Sequence, residues 1–104
     1  MSLKYIQDEV DAWTKQFVPQ YWTPHEIMVR LTEENGEIAR EINHLYGPKR
    51  KKPTEEKNHL ELEIGDLIFT LTCLANSQNI SLDQAFRKTM EKYKARDADR
   101  FEKK

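Results

Sequence analysis

The sequence predicts an all-α fold of four helices, and three observations indicate it. Apolar residues recur at spacings of three and four through four segments, whereas no segment shows the apolar and polar alternation of a strand. Capping sequences, prolines and a glycine separate these segments from one another. A chain of 104 residues is long enough for one modest core, so we expect residues 1–104 to form a single domain.

The first predicted helix covers residues 2–18, with Ser2 as its N-cap and Pro19 at its end. Large apolar residues recur along it at helical spacing, and they are Leu3, Ile6, Val10, Trp13 and Phe17. We expect this stripe, including Trp13 and Phe17, to face the core.

The second and third predicted helices form a hairpin. The second covers about 23–46 and begins at a capping box made by Thr23 and Glu26. The third covers about 54–78 and follows the basic loop 49–53, whose lysines and arginine fit an ordinary exposed loop. Because the connection is short, we expect the two helices to be antiparallel.

The fourth predicted helix opens at a second capping sequence beginning with Ser81, after a C-cap at Asn79, and runs to near the C-terminus. Residues 87–104 carry eight Lys or Arg against four acids, so this end of the chain is locally basic.

Composition excludes several classes of protein. The formal net charge is −1, which gives no overall bias toward nucleic acid or anionic membranes. No apolar run approaches the length of a membrane span, and the N-terminal residues do not form a signal or transit peptide. The single cysteine, Cys73, cannot make an internal disulfide. We therefore expect a cytoplasmic protein whose partner is neither a nucleic-acid polymer nor a membrane.

Two tight clusters of acids interrupt the apolar pattern of the hairpin. Glu34 falls almost on the centre line of the apolar stripe of the second helix, and Glu37 lies along its edge. Glu63 and Asp66 lie in the seam between two apolar stripes of the third helix. Buried carboxylates must be paired, neutralised or bound to metal, and oxygen ligands of this kind suit Mg²⁺ or Mn²⁺.

The two clusters are expected to meet across the hairpin. Each lies about 9 and 12 residues from the end of its helix nearest the connecting loop, so their heights match. Gly65 stands between the acids of the second cluster, where a missing side chain would let the facing backbone or an ion approach closely.

These residues resemble the MazG-type all-α nucleoside triphosphate pyrophosphohydrolases. The pattern is Glu-Glu-x-x-Glu, then 25 residues, then Glu-x-x-Asp. The resemblance extends over most of the chain, and it is to the short single-domain members of the family. The resemblance implies Mg²⁺-dependent cleavage of a nucleoside triphosphate to the monophosphate and pyrophosphate, with Mn²⁺ able to substitute. It assigns the metal ligands to Glu34, Glu37, Glu63 and Asp66, and a water-activating or supporting role to Glu33.

Further site residues follow from the same resemblance. Lys92 and Arg96, one helical turn apart, are candidates for binding phosphate, although a basic helix end that complements the helix dipole fits them equally. Trp22 could stack on the base or act as a hydrophobic staple before the second helix. His44 stands where some relatives have an aromatic base platform near the end of the second helix, and Tyr93 stands where many members have an Asn in the last helix. Together with Trp22 they complete the base-binding candidates.

The third helix also predicts an oligomer. Its second apolar stripe, formed by Leu62, Phe69 and Cys73, cannot be covered along with the first by four helices alone. We therefore expect the four-helix bundle to be completed by a homodimer or a dimer of dimers.

Two alternatives to the pyrophosphohydrolase interpretation remain open at this stage. One is a non-enzymatic helical interaction or scaffold dimer, which accounts for the apolar stripes but not for the acids. The other is a di-iron carboxylate bundle built on the pairs Glu41/His44 and Glu56/His59, each with the spacing that such sites use.

Overall fold

The computed structural model describes residues 2–47 and 59–104, and within those ranges the chain consists of four α-helices and no strand. The helices are α1 (Leu3–Thr14), α2 (Pro24–Tyr46), α3 (Leu60–Ser77) and α4 (Leu82–Asp97). The all-α prediction is therefore confirmed. None of these four helices combines the length and apolar character that a membrane span requires.

Helix α1 begins at its predicted N-cap, Ser2, but ends at Thr14, four residues earlier than predicted. The following segment turns back on the helix and bonds to it through Asp11. Gln20 donates to the Asp11 carboxylate at 3.0 Å and the Tyr21 hydroxyl donates to it at 2.8 Å. These local bonds compete with continuation of the helix, which is why the apolar spacing overestimated its length.

Helix α2 begins as predicted, with both halves of the Thr23–Glu26 capping box formed. Helix α3 begins later than predicted. His59 is not helical, and the predicted helical residues 54–58 lie outside the described part of the chain.

The end of α3 is a Schellman motif. Gln78 is the C-cap, one residue before the predicted position, and Asn79 takes the left-handed conformation with φ of 56°. The Ile80 N–H donates to the Ala75 carbonyl at 2.8 Å, and the Asn79 N–H donates to the Asn76 carbonyl at 3.2 Å. Asparagine tolerates this conformation better than other side chains, so the sequence stops the helix here.

The register of α2 against α3 shows that the hairpin is antiparallel. Glu34 of α2 accepts a hydrogen bond from Thr70, and Glu41, further along α2, accepts one from the backbone N–H of His59, which precedes Thr70 in the sequence. The two helices therefore run in opposite directions. The buried apolar cluster of Val10, Ile27 and Cys73 lies where α1 and α2 both pack on α3. The hairpin therefore positions the acids, and α1 closes one side of it.

Helix α4 is attached to α1 rather than to the hairpin. The Asp83 carboxylate accepts the backbone N–H groups of Leu3 and Lys4 at 3.2 and 3.3 Å, so α4 caps the start of α1. No residue of α4 is buried. The Cα radius of gyration is 17.3 Å, whereas a compact chain of this length has about 13 Å.

Two expectations about apolar side chains are wrong. Trp13 and Phe17 are 56% and 46% exposed instead of lying in the core, because α1 ends between them and the chain turns away. On α3, the expectation that a second copy covers the stripe of Leu62, Phe69 and Cys73 is wrong for Phe69 and Cys73, which pack in this chain's own core cluster, whereas Leu62 is 65% exposed. The other stripe of α3, Ile64, Ile68 and Leu71, is also uncovered, each residue being between 43% and 46% exposed.

The expectation that facing backbone approaches Gly65 closely is not met within the described chain. A Cβ built on this residue would meet no atom within 4 Å, so no backbone of the described residues approaches it closely.

Candidate active site

Three carboxylates from two helices meet across the α2–α3 hairpin. Glu37, Glu63 and Asp66 each offer one oxygen, and these oxygens all lie within 4.8 Å of one another. The antiparallel register places Glu37 opposite the turn of α3 that carries the other two. Carboxylate oxygens this close can share a hard divalent cation such as Mg²⁺.

Glu63 carries the electrostatic strain of this group. Its hydrogen bond with Glu37 raises the pKa of Glu63 to about 7, and burial and the charges of Glu37, Asp66 and Glu41 act in the same direction. Two carboxyl groups can share a hydrogen bond only while one of them holds the proton. The Oε2 atom of Glu63 is buried and has no hydrogen-bond partner among the described residues. A bound cation would replace the shared proton and satisfy the buried oxygen.

Glu34, the fourth predicted ligand, lies one turn before Glu37 and is 7% exposed. Its Oε1 accepts a hydrogen bond of 2.6 Å from the Thr70 hydroxyl. Glu34 lines a cavity of about 210 Å³ together with three other acids, and the residues lining this acidic cavity are Arg30, Glu33, Glu34, Glu37 and Asp66. It therefore lies beside the three-carboxylate cluster without being one of its members.

Arg30 is the one cationic side chain, among those described, that lines the acidic cavity. Its guanidinium carbon lies 4.3 Å from the centroid of the Trp22 ring, a cation–π contact that holds the side chain in place. Sequence reasoning did not assign Arg30 a role. The signal was present, because Arg30 precedes Glu34 by one helical turn and so shares its face.

Arg30 also lines a second, larger cavity of about 550 Å³. The Trp13 ring packs edge-to-face on Phe17 at 5.0 Å and on Phe69 at 6.1 Å between centroids, and these rings form walls of the cavity with Trp22. This aromatic cavity has the size and apolar character of sites for small organic molecules.

The predicted phosphate-binding residues lie elsewhere, on the exposed surface of α4. The charged groups of Lys92 and Arg96 each lie 4.9 Å from the Tyr93 ring centroid. Arg96 also donates two hydrogen bonds of 3.0 Å to Asp97. Lys92, Tyr93 and Arg96 are not among the described residues that line either cavity. One chain thus does not bring them to the acids, and their roles stay predictions.

His44 is buried near the end of α2, and its Nδ1 has no hydrogen-bond partner among the described residues. It does not line the aromatic cavity. Glu41 is also buried and accepts the His59 backbone N–H at 3.4 Å. Glu56 and the basic loop 49–52 lie outside the described residues. The three-carboxylate cluster formed by the described residues contains no histidine, unlike the di-iron alternative.

Comparison with known proteins places this geometry in a family. Residues 22–101 match the model of the MazG nucleotide pyrophosphohydrolase domain. The chain is 52% identical over 103 residues to the uncharacterized protein YpjD of Bacillus subtilis (strain 168), covering 99% of this chain and 93% of YpjD. The uncharacterized protein YvdC of the same strain is 30% identical over 95 residues, covering 81% of this chain and 89% of YvdC.

Solved structures agree with the sequence relatives. The crystal structure of Bacillus subtilis YpjD superposes with a TM-score of 0.81, covering 89% of this chain and 95% of that one. The Bacillus-conserved MazG protein, a nucleotide pyrophosphohydrolase, superposes with a TM-score of 0.79 at 44% identity, covering 95% of this chain and 96% of that one.

Proposed function

Since the chain belongs to the MazG nucleotide pyrophosphohydrolase family, we propose that it hydrolyses a nucleoside triphosphate with Mg²⁺ to the monophosphate and pyrophosphate. Family membership makes the chain a hydrolase and decides against a purely structural helical module. The observation that carries the proposal is the cluster of three carboxylate oxygens within 4.8 Å, contributed by two helices.

The residues present fit a divalent metal ion. Glu37, Glu63 and Asp66 would hold it, and Glu34 would add an oxygen from the neighbouring turn of α2. The pKa of Glu63 is raised, and its buried Oε2 has no hydrogen-bond partner among the described residues, so a cation at this position would stabilise the cluster. When bound, Mg²⁺ neutralises charge on the triphosphate and acts as a Lewis acid, and Mn²⁺ would do the same.

The protein's own side chains would orient the reactants. Glu33 is exposed on the wall of the acidic cavity, where its carboxylate can accept a proton from the attacking water. The water oxygen bonds to the α-phosphorus, the bond to the bridging oxygen breaks, and pyrophosphate leaves in line. Arg30 is placed to bind phosphate oxygens at the boundary between the two cavities.

The aromatic cavity suits the nucleoside part of the substrate. Arg30 lines both cavities, so a molecule with its phosphates among the acids would have its base beside Trp22. Burial raises the pKa of the Cys73 thiol to about 11, so this wall stays neutral and apolar at neutral pH. Base stacking on aromatic faces is tolerant of base identity. Trp22 is therefore a better supported base-binding candidate than His44 or Tyr93.

We further propose that the protein acts as a homodimer or a dimer of dimers in the cytoplasm. The exposed stripe Ile64, Ile68 and Leu71 on α3, and helix α4, of which no residue is buried, support contact with a second copy. Isologous contact of such stripes would bury them without help from any other protein.

Product analysis tests the proposed activity. The purified protein is incubated with canonical and chemically modified nucleoside triphosphates, with Mg²⁺ or with a chelator, and products are separated by ion-exchange chromatography. We expect equal amounts of monophosphate and pyrophosphate, and only with the metal. Release of a diphosphate and inorganic phosphate, or unchanged activity with the chelator, would contradict the proposal.

A further inference from the structure

Thr70 is a fully buried residue of α3 that contacts the acidic site through its hydroxyl. It is 1% exposed and lies one helical turn after Asp66. Its Oγ1 donates a hydrogen bond of 2.6 Å to Oε1 of Glu34 across the α2–α3 interface. This distance is at the short end of the range for hydrogen bonds between a hydroxyl and an oxygen, about 2.5–3.0 Å.

Other helical threonines in the chain use their hydroxyls differently. Thr72, also 1% exposed, donates to the Ile68 carbonyl at 2.7 Å, and Thr14 donates to the Val10 carbonyl at 2.8 Å. Bonding to the carbonyl four residues earlier is the ordinary choice for threonine in a helix. Thr70 instead donates across the interface to Glu34, so its hydroxyl serves the site rather than its own helix.

We propose that Thr70 is a positioning residue for Glu34, fixing one carboxylate oxygen in the interface so that the other is presented to the metal in the acidic cavity. This inference rests on the proposed function for the identity of the site, but not on hydrolysis itself. The donated hydrogen bond prevents rotation of the Glu34 carboxylate, leaving one oxygen, rather than two, for a ligand.

Without this donor, Glu34 would keep its buried position and lose its orientation. A buried carboxylate that lacks a donor is costly, so it would rotate toward the cavity. This rotation weakens its use as a metal ligand. Partners that orient metal ligands typically contribute about 10–100-fold to metal affinity.

The chain offers a matched control for testing this. Thr70→Val and Thr72→Val each remove one hydroxyl from equally buried positions on the same helix, and only the first removes a bond to Glu34. Mn²⁺ binding is measured without nucleotide, by the electron paramagnetic resonance signal of free Mn²⁺. We expect Thr70→Val to weaken Mn²⁺ binding about 10–100-fold and Thr72→Val to bind like the wild type. Thr70→Ser, which keeps the hydroxyl, should restore affinity to within a few-fold of the wild type.

Several results would overturn the inference. They are equal Mn²⁺ affinities for Thr70→Val and Thr72→Val, or a Thr70→Ser variant as weak as Thr70→Val. If Thr70→Val does not fold, as judged by circular dichroism, Thr70→Ala removes the same donor with a smaller side chain and takes its place.

A pyrophosphate-release assay on the same proteins separates this inference from the proposed function. Reduced Mn²⁺ affinity in Thr70→Val, with no triphosphate hydrolysis by any variant, supports the positioning role and contradicts the proposed reaction. A wild-type protein that binds no Mn²⁺ contradicts both. Hydrolysis that needs more Mg²⁺ in Thr70→Val than in Thr72→Val supports both.

Discussion

The α2–α3 interface and helix α4 differ in how far a single chain brings their proposed site residues together and buries them. In the interface, Glu34 is buried, bonded to Thr70, and beside three carboxylates that converge on one point. On α4 no residue is buried, and Arg96 pairs only with its neighbour Asp97 among the described residues. The acids of the proposed site thus lie together within a single chain. The basic residues proposed to bind phosphate lie on a helix of which no residue is buried.

The two regions also carry opposite charge. The acidic cavity has one cationic lining residue among those described, Arg30, against four acids. Residues 87–104 hold eight Lys or Arg against four acids. A bound triphosphate needs both metal and basic groups, so the comparison predicts that changes in the interface abolish the reaction and changes on α4 weaken it.

The largest expected effect comes from Asp66→Asn. This change keeps the side-chain shape and removes one negative charge from the cluster. We expect turnover to fall by about 10²–10³-fold or more, as for loss of one group that stabilises transition-state charge. We also expect the metal-free protein to be at least as stable as the wild type, because charge repulsion is reduced. The Mg²⁺-induced rise in melting temperature should shrink, since the cation binds only the folded state.

An ion-pair network would behave in the opposite way. Removing one partner of a buried pair strands the other and costs about 3–5 kcal/mol. A strongly destabilised Asp66→Asn with full activity per folded molecule would therefore refute the metal cluster. Asp8→Asn, which alters an exposed ion pair with Lys4 on α1, is the control and should change neither quantity appreciably.

The second effect is a pH dependence of stability that Glu63 imparts to the metal-free protein. Its pKa is raised to about 7 in the folded state, so between its ordinary value near 4.5 and about 7 the folded protein binds more protons than the unfolded chain. Stability from this group is therefore fully present below about pH 4.5 and is lost as pH rises to about 7. We expect a loss on the order of 2 kcal/mol, measured by chemical denaturation in the presence of a chelator.

Glu63→Gln isolates this contribution from that of the other ionisable groups of the chain. Gln cannot ionise, so the difference in unfolding free energy between the two proteins should follow the Glu63 titration. Added Mg²⁺ should stabilise the wild type more at pH 7.5 than at pH 5.5, because the cation competes with the proton. If the unfolding free energies of wild type and Glu63→Gln changed in parallel with pH, Glu63 would not be the source of the pH dependence.

Much of this architecture could be predicted because its causes are local in the sequence. The capping box at Thr23, the break after α3 and the helical spacing of the acids each depend on residues within a turn or two. The facing heights of Glu37 and Glu63 followed from counting residues back from a short connection. Antiparallel pairing then leaves little freedom in the register.

The rest depended on contacts between distant parts of the chain. Trp13 was assigned to the core because spacing cannot show that α1 ends early, where Asp11 bonds to the following segment. Thr70 looked like an ordinary helix residue, since only the packed hairpin places its hydroxyl beside Glu34. The burial of Phe69 and Cys73 on α3 was missed for the same reason, because the sequence does not show which residues α1 and α2 would cover.

The smallest expected effect, and the one that bears most on α4, comes from Arg96→Ala. Arg96 is exposed, so its loss should change the unfolding free energy by no more than about 0.5 kcal/mol. Turnover should fall about tenfold, corresponding to one lost charge-assisted contact with phosphate. Arg100→Ala is the control, since Arg100 pairs with the same Asp97 one turn later. Full activity of Arg96→Ala would show that Arg96 does not bind the phosphates of the substrate.

Mixing two defective variants then shows which chain supplies Arg96. Within one chain, the described residues lining the acidic cavity come from α2 and α3 only, so we expect α4 of a second copy to reach it. In a dimer of Asp66→Asn and Arg96→Ala chains, one site would combine an intact Asp66 with an intact Arg96. Random mixing should therefore restore about a quarter of wild-type activity above the residual level of the parents. If Arg96 served its own chain's site, every site in the mixture would carry one defect, and no activity would be restored after subunit exchange.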